Sequence, residues 1–66
     1  MKQRELMRRL YKEYGGNKEM ACRAYAEAER SGEITRKHGI EKNSPEQYAS
    51  DLWSDGLRKG WIRNLG

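Results

Sequence analysis

The sequence predicts an all-α fold, a small three-helix domain in a helix-turn-helix-like arrangement, and three observations predict it. Residue types that favour strands are scarce, for the 66 residues include no Val, no Phe and a single Thr. Good helix formers (Ala, Leu, Met, Glu, Arg, Lys) are plentiful. Turn residues cut the chain into segments of helical length, at Gly15-Gly16-Asn17, at Ser31-Gly32 and at Asn43-Ser44-Pro45. A chain this short makes one domain, residues 1–66. An alternative is a winged-helix-like domain with a minimal two-stranded ribbon, in which Glu33-Ile34-Thr35 pairs with the stretch after the third helix.

Residues 2–14 form the first helix. Leu6, Met7, Leu10, Tyr11 and Tyr14 recur at helical spacing and make one apolar face. Arg4, Arg8 and Lys12, each four residues apart, make a basic stripe expected on the opposite side, with Arg9 beside it. Gly15 is placed to take the left-handed conformation that ends such a helix.

Asn17 is a good N-cap for the second helix, near 18–30, and Glu19 suits its positive end. The expected inner face is Met20, Ala21, Ala24, Tyr25 and Ala28, whose three alanines let another helix approach closely. Lys18, Arg23, Glu27 and Arg30 alternate in sign on the outer face. Residues 32–43 have no helical period and read as a loop anchored by Ile34 and Ile40, with a short extended piece at 33–36. The third helix, 45–59, has the clearest start: Ser44 as N-cap, Pro45 at the first helical position and Gln47 at the third make a capping box. Tyr48, Ala49, Leu52, Trp53, Gly56 and Leu57 line one face, with Trp53 expected in the core. Gly60 stops the helix, and Trp61-Ile62 are expected to fold back on it, Trp61 partly exposed.

With 35% hydrophobic residues and 36% charged ones, the core is small and draws its bulk from two Trp and four Tyr. A second copy, as a homodimer, is one way to cover its apolar face. The single Cys22 excludes an internal disulfide and, with His38 the sole histidine, a four-ligand Cys/His zinc site. Cys22 reads as a packing residue and His38 as a loop residue, and no glycine pattern matches a phosphate-cradling loop. Asp51 and Asp55 stand one turn apart and read as a solvated face rather than a metal pair. No enzyme, no metal and no cofactor are expected. No apolar run reaches membrane-spanning length and no leader-like segment opens the chain, so the expected location is the cytoplasm.

Charge carries the functional expectation. Fourteen Lys and Arg against ten Asp and Glu give +4, and the excess is segregated. The first twelve residues hold Lys2, Arg4, Arg8, Arg9 and Lys12 against Glu5. The connector adds Arg36, Lys37, His38 and Lys42, and the end adds Arg58, Lys59 and Arg63 with no acid after Asp55. Segregated positive charge is what a phosphate-tracking surface requires. The candidate nucleic-acid contacts are therefore Arg4, Arg8, Arg9, Lys12, Arg36, Lys37, His38 and Lys42, with duplex DNA the favoured ligand.

The stretch Gly16-Asn17-Lys18-Glu19-Met20-Ala21-Cys22-Arg23-Ala24-Tyr25 resembles the opening of the helix-turn-helix in Fis-type regulators and the equivalent segment of phage terminase small subunits. Asn17, Ala21 and Ala24 match that pattern over about ten residues. The resemblance implies a short helix packed on a DNA-recognition helix. Those families turn at a Gly soon after the second alanine, whereas this chain continues through Glu27-Ala28-Glu29-Arg30, so no base-reading residue is carried over. Two functional expectations follow. One is a small basic DNA-binding protein, a bacterial or phage-type regulator or accessory factor. The other is a small protein-interaction module, an inhibitor, adaptor or assembly factor docking on a larger protein.

Overall fold

The computed structural model describes residues 2–35 and 43–63 and contains helices α1 (Gln3–Glu13), α2 (Lys18–Arg30) and α3 (Pro45–Lys59). The predicted boundaries hold because the punctuation is chemical. At the α1–α2 turn, Gly15 and Gly16 take φ of +61° and +83°, a left-handed pair that a side chain would strain. Asn17 then caps α2, its side chain accepting from the Met20 N–H at 3.0 Å. Ser44 caps α3 by accepting from the Gln47 N–H at 3.2 Å. Only half of the expected capping box forms there: Gln47 turns its amide to Asp51 Oδ1, 3.0 Å away, instead of back to the cap.

Helix α2 lies between the other two and packs most extensively on α3. This position corrects its inner face. Cys22 and Ala26 are buried with Ala21, Tyr25 and Ala28, while Met20 is 49% exposed, the one exposed large hydrophobic among the described residues. The stripe is displaced because α2 has a neighbour on each side. Tyr25, at 0% exposure, meets the Tyr48 ring of α3 with centroids 6.1 Å apart. Trp53, 4% exposed, takes the Tyr11 ring of α1 at 5.2 Å, so the indole sits at the junction the sequence assigns it.

The remaining sides of the core are closed by chain outside the helices. Ile34 is buried just after α2 and so fills its anchor role. Gly60 turns the chain with φ of +84°, and Ile62 returns to bury itself completely against α3. Ile62 also donates its N–H to the Gly56 carbonyl at 3.3 Å. A clasp made by Gln3 ties three parts of the chain. Its carboxamide oxygen accepts from the Tyr48 hydroxyl at 2.6 Å, and its Nε2 donates to the Thr35 carbonyl at 3.1 Å.

No strand occurs among the described residues. The winged-helix alternative is therefore not supported, and Glu33-Ile34-Thr35 bends away instead of forming the expected extended piece. Ile40 lies outside the described residues. Helix α2 also runs unbroken to Arg30, so the short helix and early turn implied by the Fis-type resemblance are absent. A run of helix formers, Glu27-Ala28-Glu29-Arg30, stands where those families place a turn.

Candidate nucleic-acid interface

Of the basic residues of α1, Arg4, Arg9 and Lys12 are exposed, as the stripe requires, and Arg8 is half-buried. Arg4 places its guanidinium over the Trp61 ring, 5.1 Å from the ring centroid. The reason is rotational. A spacing of four residues overshoots a full turn by about 40°, so each step backwards from Lys12 turns the stripe by that amount and brings Arg8 and then Arg4 toward the apolar edge occupied by Tyr11. An exposed guanidinium over an aromatic ring gains about 0.5–1 kcal/mol.

Trp61 makes this contact significant for charge placement. Its Nε1–H donates to Asp55 Oδ2 at 3.3 Å, and Asp55 Oδ1 accepts from Arg58 at 3.1 Å and faces Lys59 at 3.3 Å. The indole thus joins the start of α1 to the end of α3. Residues from two of the three basic clusters seen in the sequence meet at this indole, with Arg4 over its ring, Arg58 and Lys59 on the carboxylate it bonds, and the exposed Arg63 two residues beyond it. The third cluster, Arg36, Lys37, His38 and Lys42, lies outside the described residues. Sequence reasoning recorded the C-terminal cations but left them out of the candidate contacts. The available signal was the absence of any acid after Asp55, together with an indole directly behind a helix-stopping glycine.

Away from this surface the charges pair with one another. Arg23 bonds Glu19 at 3.0 Å on α2. Arg30, exposed on the outer face expected of it, reaches across to Glu46 at the start of α3. That hydrogen bond holds the Glu46 carboxyl below its ordinary value. The two aspartates of α3 serve different partners: Asp51 is held by the amides of Asn43 and Gln47, and Asp55 by Trp61 and the two cations. No group of three or more potential metal-ligating side chains gathers among the described residues.

One open groove of about 520 Å³ runs between α2 and α3, lined by Lys18, Glu19, Cys22, Arg23, Glu46 and Ser50. Burial pushes the Cys22 thiol up, with the nearby Lys18 charge opposing it, so the sulfur stays protonated at neutral pH. No described helix is long and apolar enough to cross a membrane. Comparison of the chain with protein-family models, with curated proteins and with solved structures finds no match.

Proposed function

We propose that the protein is a small cytoplasmic DNA-binding protein, a regulator or accessory factor of bacterial or phage type, that holds duplex phosphates on the surface where α1 meets the end of α3. The observation that carries this reading is the Arg4–Trp61 stack, which brings two sequence-distant basic clusters together. Arg4, Arg8, Arg9 and Lys12 extend the surface along α1, Arg58, Lys59 and Arg63 along the end of α3, and Arg36, Lys37, His38 and Lys42 supply the connector's share. Phosphate contacts carry no sequence information, so this surface grips duplexes of different sequence about equally.

The test is fluorescence anisotropy of a labelled duplex of about 20 base pairs, titrated with the protein at several salt concentrations. Non-specific dissociation constants of about 10⁻⁴ to 10⁻⁶ M are expected, with log K falling by roughly 0.9 per log unit of salt for each phosphate held. Arg4→Ala should flatten that slope by about 0.9. No binding by the wild type at about 50 mM salt, where such contacts are strongest, overturns the reading.

A second reading, docking on a larger protein, is favoured by one observation: half-exposed Met20 sits beside the Glu19–Arg23 pair on α2. Met20→Asp separates the two readings. It should leave duplex binding intact and abolish capture of a protein partner.

A further inference from the structure

Asp55 lies in the middle of the surface proposed to hold phosphates, and it carries the opposite charge to the one that surface needs. Its Oδ1 accepts from Arg58 at 3.1 Å and faces Lys59 Nζ at 3.3 Å, while its Oδ2 accepts from Trp61 Nε1–H at 3.3 Å. Three donors therefore converge on one carboxylate, as they would on a phosphate. The exposures differ in a telling way: the Asp55 side chain is 24% accessible, against 77% for Arg58 and 57% for Lys59. The anion is sheltered inside the cluster, and the cations that hold it reach into solvent where a ligand can take them.

We infer that Asp55 is an internal counter-ion that competes with nucleic-acid phosphates for Arg58 and Lys59, and so sets the strength and salt dependence of binding. The inference rests on the nucleic-acid reading above. Ion pairs this exposed are weak in water and exchange readily for a polyanion. The negative end of the α3 dipole lies at the same place and disfavours anions. A phosphate is therefore held there only to the extent that Arg58 and Lys59 are released from Asp55. The Trp61 hydrogen bond, with those from Arg58 and Lys59, keeps the Asp55 carboxyl below its ordinary value, so the competing charge is fully present at neutral pH.

The experiment uses the full chain and the same labelled duplex. Asp55→Asn removes the charge but keeps an oxygen that can accept from Trp61, so the Arg4 stack has no reason to move. It should bind about 5-fold tighter at low salt, the effect of deleting one unit charge roughly 4 Å from a phosphate in water. The slope of log K should steepen by about 1–2, as two more cations exchange counter-ions for phosphates. Asp51→Asn is the control. It deletes the same charge one turn earlier, where the carboxylate is held by amides, and should change affinity less than about 2-fold. Adding Arg58→Ala and Lys59→Ala to Asp55→Asn should erase the gain. Melting curves confirm that each variant folds, and Asp55→Ser gives the same readout should the amide loosen the helix end.

Equal gains from Asp51→Asn and Asp55→Asn would reduce the effect to net charge and overturn the inference. So would a wild type that binds beside an Asp55→Asn that binds no better, and that result leaves the nucleic-acid reading standing. If neither protein binds at about 50 mM salt, both fall. If only Asp55→Asn binds, the wild type fails the test of the nucleic-acid reading, and the inference that rests on it falls as well.

Discussion

Gly56→Ala sets two calculable effects against each other. In a helix interior Ala is better than Gly by about 1 kcal/mol, so propensity alone makes the variant more stable. The added Cβ, however, would stand 2.8 Å from Ile62 Cβ, 3.1 Å from Trp61 Cζ2 and 3.2 Å from Ile62 Cγ2. The Ile62 Cβ is fixed to its own backbone, and no rotamer moves it away. The chain at 61–62 must therefore lift off α3, exposing a fully buried isoleucine and breaking the Ile62 N–H bond to the Gly56 carbonyl. Burying an Ile side chain contributes about 1.5–3 kcal/mol, and the hydrogen bond about 1 kcal/mol. Set against the propensity gain, the net loss is about 1–3 kcal/mol. For a domain of this size, that lowers the melting temperature by about 5–20 °C. Urea denaturation followed by tryptophan fluorescence, with thermal melts by circular dichroism, reads both quantities. Removing the opposing Cβ with Ile62→Gly should reverse the sign, so that Gly56→Ala becomes favourable in that background. A Gly56→Ala protein as stable as the wild type, or more so, would refute the close approach of the returning chain.

Ser44→Ala should destabilise by about 0.5–2 kcal/mol through loss of the α3 cap, with duplex affinity unchanged in the anisotropy assay. Trp53→Ala should cost about 3–5 kcal/mol and abolish a cooperative melt, since the ring fills the junction of α1 and α3; an unshifted melt would place the indole at the surface. Glu46 should give Arg30→Met an acid signature. Its folded carboxyl is held below the ordinary value of 4.5, so the pair's contribution is present above that value and is lost as pH falls through the depressed one. The variant should therefore lose part of the wild type's decline in melting temperature below about pH 4.5, and identical acid limbs would deny the pair any role.

What could be read from the sequence was local chemistry. Asn17 and Ser44 beside helix starts, and glycines just past helix ends, placed all three elements because a cap is satisfied by residues three or four positions away. The full set of buried faces was not readable in the same way. Periodicity locates a stripe from one direction, and α2 is covered from two, so the expected stripe omits the buried Ala26 and takes in the exposed Met20, while the separate reading of Cys22 as a packing residue holds. The neighbours of the candidate site were unreadable for a related reason. The positions of Arg4 and Arg8 around α1 follow from the helical repeat, but the ring that Arg4 meets arrives only because Gly60 reverses the chain. Segregated charge at both ends of the sequence was visible; that the two ends are neighbours is a property of packing.

The Gln3 clasp has a kinetic consequence. Its bond to Tyr48 joins residues 45 positions apart and its bond to Thr35 joins residues 32 apart, whereas the α1–α2 turn is closed by neighbours. Bringing such distant points together costs more entropy than closing a short turn, and two hydrogen bonds repay little of it before α3 is already in place. The clasp therefore forms on the native side of the folding barrier, where its strength governs how slowly the protein opens rather than how fast it assembles. A chevron plot in which Gln3→Ala raises the unfolding limb and leaves the refolding limb unmoved would record that order of events, and a slowed refolding limb would reverse it. Three segments that share no sequence neighbourhood are thus kept together by a latch that closes last and must open first.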